Sequence, residues 1–184
     1  MNRPASVERD ERLRLFFGLP LPGDVAPALE GWARSELAEG GRVVSREHLH
    51  VTLAFLGSRS RSELGDLLGA LRAAAAGAIL PRLSVRRYRE TRSVGMLVLE
   101  DHDGRATAFA DDLQGRLVQL GVYERERRPW LPHVTVLRFR TAPRLQPMLP
   151  KLKPFSPSDA ALYHSVLRPT GAQYEIVDSA ALGG

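Results

Sequence analysis

Two short stretches of the chain carry the same side chains in the same order, His50-Val51-Thr52-Leu53 and His133-Val134-Thr135-Val136, 133 − 50 = 83 residues apart. Side chains alternate between the two faces of a β-strand, so each stretch, if extended, presents His and Thr on one face and aliphatic residues on the other. In the first copy the apolar face is expected to run Val51, Leu53, Phe55 and to bury against a helix. If the two strands lie side by side across a pseudo-twofold axis, two imidazoles and two hydroxyls converge on one cleft. Opening a phosphodiester in line requires a base for the attacking oxygen and an acid for the leaving one. Imidazoles of ordinary pKa, ~6.5, can hold opposite protonation states near neutrality. The Thr52 and Thr135 hydroxyls can donate to the non-bridging oxygens, where negative charge builds in the transition state. Such a site needs no metal and no other cofactor. One H-x-T on a strand is commonplace; the second copy, with the same facing pattern, carries the argument.

The surrounding sequence supplies elements able to hold the two strands. After a polar stretch, Met1 to Asp10, expected to be a flexible tail, Leu13 to Phe17 reads as a strand closed by Gly18, Pro20, Pro22 and Gly23. Val25, Leu29 and Trp32 recur at helical spacing within Asp24 to Leu37, and Gly40-Gly41 stop that helix. A short strand at Val43-Val44 precedes the strand His50 to Leu56, which Gly57 should end. Ser60 and Glu63 form a capping box, and Leu64, Leu67, Leu68 and Leu71 follow on one helical face. Strands at Leu83 to Tyr88 and Met96 to Leu99 flank a turn near Thr91-Arg92-Ser93. A third helix opens at Asp103-Gly104, buries Phe109, Leu113, Leu117 and Leu120, and ends at Gly121. The second motif lies in a strand from Leu131 to Phe139. Pro143, Pro147, Pro150, Pro154 and Pro157 then mark a connector, and strands Ala160 to Leu167 and Tyr174 to Val177 close around Pro169-Thr170-Gly171. The elements do not follow a strict βαβα rhythm, which predicts an α+β fold with antiparallel sheets.

Residues around both motifs add a resemblance. His48-Leu49-His50-Val51-Thr52-Leu53-Ala54-Phe55-Leu56-Gly57, paired with Pro132-His133-Val134-Thr135-Val136-Leu137-Arg138, resembles the 2H phosphoesterase superfamily, and within it the RNA 2′,3′-cyclic phosphodiesterases, also called 2′-5′ RNA ligase-like proteins. Arg14-Leu15-Phe16-Phe17-Gly18-Leu19, Arg46-Glu47, and Ser165-Val166-Leu167 with Gly171 and Tyr174 agree with it, so the likeness covers Leu13 to Val177. It implies one bilobal domain over residues 11–184, with pseudo-twofold symmetry around a central cleft. It implies hydrolysis of RNA 2′,3′-cyclic phosphate ends to 2′-phosphomonoesters, with a reversible 2′-5′ ligation in some members. His50 would protonate the leaving 3′-oxygen and His133 would activate water, although the symmetric geometry also permits the reverse. Thr52 and Thr135 would hold the phosphate. Arg138 would engage the nucleotide, which requires a bulge or strand end, since its odd offset from His133 puts it on the opposite face of a regular strand. Phe17 would stack a base, against the alternative of a core phenylalanine.

Composition is compatible with this chemistry. The chain has 184 residues, no cysteine and a formal charge of +5, with 26 − 2 = 24 of its basic residues arginine, since Lys151 and Lys153 are the only lysines. Disulfides, thiolate zinc sites, iron–sulfur clusters and a cysteine nucleophile are excluded. The longest apolar stretch, Leu13 to Pro22, is broken by Arg14, Gly18 and Pro20, so a cytoplasmic monomer without membrane attachment is expected. Its partners would be RNA ends or nucleoside 2′,3′-cyclic phosphates. Arg86-Arg87-Tyr88-Arg89 with Arg92, and Glu124-Arg125-Glu126-Arg127-Arg128, are further candidates for phosphate contact. His48 stands where relatives more often carry a small polar residue; it completes no metal site with His50 and is expected at the cleft rim. His102 reads as solvated and His164 as structural. Two other readings keep the same cleft: a cyclic phosphodiesterase for a small nucleotide such as ADP-ribose 1″,2″-cyclic phosphate, or a noncatalytic module that binds RNA ends.

Overall fold

Leu13, Leu15, Phe17 and Leu19 recur at every second position, and the segment Arg12–Pro20 is a strand (β1) that turns all four into the core. A computed structural model describes residues 11–168 and 171–183. In chain order the remaining elements are α1 (Val25–Glu36), β2 (Arg42–Val43), β3 (His50–Ser60), α2 (Leu64–Ala76), β4 (Leu83–Glu90), β5 (Val94–Asp101), α3 (Arg105–Gln119), β6 (His133–Arg138), β7 (Asp159–Arg168) and β8 (Gly171–Ala181). The strands form one sheet in the order β4-β5-β6-β3-β1-β7-β8, with β2 paired to β6. The pairings are antiparallel, as the α+β expectation requires.

One face of the sheet is apolar, and the helices cover it. Leu29 and Ala33 of α1, Leu67 and Leu71 of α2, and Phe109, Leu113 and Leu117 of α3 are buried with Val51, Leu53, Leu97, Val134 and Val136 of the strands. The apolar spacing read from the sequence therefore identifies the packed face of each helix, except that Leu120, expected to be buried, is exposed because α3 ends at Gln119 and Leu120 is its C-cap. The capping box forms: the Ser60 hydroxyl accepts from the Ser62 amide at 3.0 Å and Glu63 accepts from the Ser60 amide at 2.7 Å, through a 3₁₀ turn that leads into α2. Gly104 is the N-cap residue of α3, and Asp101 accepts from the Thr107 amide in its first turn at 2.8 Å.

Two expectations change. Gly57 does not end β3; with φ +68 it lies inside the strand, opposite Leu15, beside a register shift that lets β3 continue to Ser60. The seam of the sheet is also thinner than two adjacent strands would suggest. β3 and β6 share a single register pair, Val51 with Val134, beyond which they diverge and β2 takes over the far end of β6. The halves β4-β5-β6 and β3-β1-β7-β8 thus meet at this one pair, the apex of the sheet, with one motif on each side of it. The tail, residues 1–10, and the turn residues Pro169 and Thr170 lie outside the described residues.

Candidate active site

The exposed face at the apex is a cleft of about 660 Å³ lined by His50, Thr52, His133 and Thr135. Alternation puts Val51 and Val134 on the buried face, fully enclosed, and turns both His–Thr pairs outward. The two copies match in detail. His50 Nδ1 lies 2.8 Å from the His48 carbonyl, and His133 Nδ1 lies 2.8 Å from the Leu131 carbonyl, in each case two residues upstream. A carbonyl oxygen only accepts, so each Nδ1 carries a proton and donates it. Each Nε2 is left as the nitrogen available for proton transfer.

Both strands bulge directly after the threonine. On β3, Thr52 pairs with Gly18 and Ala54 with Phe17, which leaves Leu53 as the extra residue. On β6, Thr135 pairs with Met96 and Leu137 with Gly95, which leaves Val136 as the extra residue. Each bulge buries two consecutive side chains and reverses the alternation beyond them. The residue five places after each histidine, 55 − 50 = 138 − 133 = 5, therefore comes back to the cleft face. On β6 that residue is Arg138, and the shift supplies the change of face its position demands. On β3 it is Phe55, which corrects the expectation of a buried residue: its ring is 62% exposed and lines the cleft. Phe17 needs a second correction. It is fully buried between Leu15 and Leu19 in the main core and lines no part of the cleft. Alternation along β1 gives the cleft side to Phe16 instead.

The surroundings break the symmetry. Phe16 lies under the His50 ring, centroids 4.8 Å apart; Tyr163 packs beside it at 5.5 Å, and Tyr174 meets it edge-on at 5.5 Å. Gly18 makes room for this arrangement, since a Cβ there would come within 3.2 Å of His50 Cδ2. Enclosure by these rings penalises the charged imidazole and pushes His50 down to about 4, and the positive charges of His133, Arg138 and His48 act in the same direction. The His48 carbonyl opposes the shift without cancelling it. Among the described residues no aromatic ring packs on His133.

His48 sits at the rim, its ring 4.7 Å from that of Tyr174 and its Nδ1 3.4 Å from the Ser45 hydroxyl. His102 is exposed and bonded to Ser84 at 2.9 Å, and neither it nor His164 lines the cleft. The two arginine-rich stretches also lie elsewhere, with Arg125 paired to Asp111 at 3.2 Å. Arg14 and Arg42, which nothing in the sequence singled out for this purpose, do line the cleft. Among the described residues no Asp or Glu lines it. Two more positions that pattern reading missed hold the β3 bulge: Trp130 Nε1 donates to the Thr52 carbonyl at 3.0 Å, and buried Gln114 donates to the Leu53 carbonyl at 2.8 Å. Among the described residues no group of three or more metal-ligating side chains is gathered, and no helix is long and apolar enough to cross a membrane.

Comparison with known proteins agrees with this arrangement. The family model of the 2′-5′ RNA ligase superfamily matches residues 21–167. A protein of Thermus thermophilus named RNA 2′,3′-cyclic phosphodiesterase is 31% identical over 188 residues, covering 94% of this chain and 91% of that protein. One of the same name from Escherichia coli is 30% identical over 132 residues, covering 70% of this chain and 73% of its own. Among solved structures, E. coli LigT complexed with 3′-AMP superposes with a TM-score of 0.80 at 22% identity, over 95% of this chain and 100% of that one. Protein TT0787 of T. thermophilus superposes with a TM-score of 0.79 at 28% identity, over 94% and 99%. The matched region spans both histidine motifs and most of the sheet that carries them, and the chain belongs to the 2′-5′ RNA ligase superfamily.

Proposed function

We propose that the protein is an RNA 2′,3′-cyclic phosphodiesterase that opens the cyclic phosphate to a 2′-phosphomonoester by paired-histidine acid and base catalysis. The observation that carries this reading is the matched pair of imidazoles, each with Nδ1 tied to a carbonyl at 2.8 Å and Nε2 left for the reaction, on either side of one acid-free cleft. In this reaction one Nε2 takes a proton from water as the water oxygen attacks phosphorus. The P–O3′ bond breaks opposite it, and the second Nε2 hands its proton to the 3′-oxygen. Thr52 and Thr135 donate to the non-bridging oxygens, and Arg138 offsets their charge. Phe55, exposed beside the apex, offers a face on which a base can stack.

The resemblance makes His50 the acid and His133 the base. The enclosure of His50 favours the reverse order, because a ring held down to about 4 is neutral at pH 7 and ready to accept a proton. One experiment tests both the reaction and its order. With chelator present, the protein should convert a 2′,3′-cyclic phosphate end to the 2′-phosphate, and His50→Ala and His133→Ala should each lose about 100-fold or more. A substrate with sulfur in place of the leaving 3′-oxygen needs no acid, so it restores the variant lacking the acid and leaves the other impaired. Full activity in both variants on the oxygen substrate would end the proposal, and tight RNA binding without product would favour a noncatalytic module.

A further inference from the structure

Arg42 and Arg138 are direct register partners on the antiparallel strands β2 and β6, and both line the cleft. Side chains of directly opposed residues leave the same face, roughly 5 Å apart at Cβ, where two like charges destabilise the pairing. Among the described residues neither guanidinium has a carboxylate within ion-pairing distance, whereas Arg34, Arg46, Arg59, Arg61, Arg72, Arg105, Arg116 and Arg125 each have one. Two opposed cations on the wall of a cleft without any acid form a site for an anion.

The backbone is shaped for this juxtaposition. β2 is two residues long and pairs with the end of β6. Its approach depends on Gly41, with φ +154, where a Cβ would collide with the Arg138 main-chain oxygen. Any residue with a side chain there would push β2 away and separate the two arginines. The Val44 amide also donates to the Val136 carbonyl at 2.9 Å, so the bulge that turns Arg138 into the cleft is held by the strand that carries Arg42.

Resting on the function proposed above, we infer that Arg42, directly opposite Arg138, holds the second phosphate of the substrate, the one on the 5′ oxygen of the terminal nucleotide, while Arg138 stays with the reacting one, so that the cleft selects ends carrying that phosphate over bare nucleoside 2′,3′-cyclic phosphates. A terminal 2′,3′-cyclic nucleotide has no other position for a neighbouring phosphate, since its 3′ side is the reacting group. Arg138 lies close enough to His50 to act on it electrostatically, and Arg42 faces Arg138 from β2, at the end of β6 away from the Val51–Val134 pair, which sets the second phosphate outward from the first. The recognised chemistry is a phosphate at the 5′ oxygen; a monoester and the diester of a longer strand both supply it.

The test compares kcat/KM for three cyclic substrates: a nucleoside 2′,3′-cyclic phosphate, the same compound with a 5′-phosphate, and a dinucleotide ending in the cyclic phosphate. The unaltered protein should favour one or both phosphate-bearing substrates by about tenfold or more. Preference for the monoester alone marks a mononucleotide site, and preference for the diester marks a strand site. In Arg42→Gln that ratio should collapse towards one, and in Arg42→Lys it should fall part way, because an ammonium lacks the two-pronged fork. A ratio already near one in the unaltered protein, or an Arg42→Gln variant that slows all three substrates equally, would overturn the inference. A binding arm needs no turnover: titration with a nucleoside 3′-phosphate and a nucleoside 3′,5′-bisphosphate should show the same Arg42-dependent preference. Absence of hydrolysis with that preference intact would reject the phosphodiesterase reading and keep the anion site.

Discussion

The two histidines are alike in sequence and unlike in setting. Their spacing from threonine and from an upstream carbonyl is the same, but the rings of Phe16, Tyr163 and Tyr174 close around His50 alone. That difference has a consequence for stability. The folded protein holds His50 at about 4, below the ordinary imidazole value, so the unfolded chain binds the proton more tightly. The stability due to the neutral ring is complete above pH ~6.5 and is lost progressively as the pH falls towards the folded value. Between pH 7 and pH 5 this group should remove about 1 kcal/mol, after allowance for its partial solvent contact. Urea unfolding at the two pH values should show that much less acid sensitivity in His50→Gln. Equal sensitivity in both proteins would mean that the ring is not enclosed in solution. At this scale the sequence named the four side chains that meet in the cleft, and it could not name the rings around His50, which come from three separate strands.

At the level of elements, the bulge after each threonine decides which side chains reach the cleft. It returns Phe55 and Arg138 to the cleft and leaves main-chain carbonyls of β3 to be satisfied by side chains from elsewhere. Gln114, on α3 and buried, takes the Leu53 carbonyl at 2.8 Å. Gln114→Leu fills the same space without a donor and strands that carbonyl, at a cost of about 1–3 kcal/mol. Chemical denaturation should report it, and a change below a few tenths of a kcal/mol would show that water replaces the amide. Helices and strands themselves were legible, because a period of two or of 3.6 is written locally. Gly57 was misread for the same reason: glycine ends many strands, but here a positive φ serves a register shift whose other half lies on β1. Phe17 was left open between base stacking and the core for the same reason, since choosing between Phe16 and Phe17 requires knowing which face of β1 the helices cover.

For the molecule as a whole, the charge has a direction that a formal +5 does not reveal. Among the described residues eight arginines are paired with carboxylates, while Arg14, Arg42 and Arg138 line a cleft that holds no Asp or Glu. A short RNA that reaches all three should release about 0.7 counterion per phosphate neutralised, giving a slope of about −2 for log(kcat/KM) against log salt. A nucleoside 2′,3′-cyclic phosphate should give a much shallower slope. Equal slopes would mean that the cleft reads a single phosphate. The arginine-rich stretches at Arg86–Arg89 and Arg125–Arg128 drew attention through their density. They lie outside the cleft, with Arg125 paired to Asp111, so it is position on the sheet, which density along a chain does not reveal, that decides which arginines line it.

Sequence alone determined the paired histidines and threonines, the strands that carry them, the polarity of those strands and the antiparallel α+β class. Each of these is encoded in residue type and short-range periodicity. Tertiary structure decided which phenylalanines face the cleft, how far His50 is desolvated, that Arg42 stands opposite Arg138, and that Trp130 and Gln114 hold the first motif. All four depend on register between strands distant in the chain, and a one-residue shift in register exchanges the two faces of a strand. No local pattern can contain that information, since it exists only once both partners are paired.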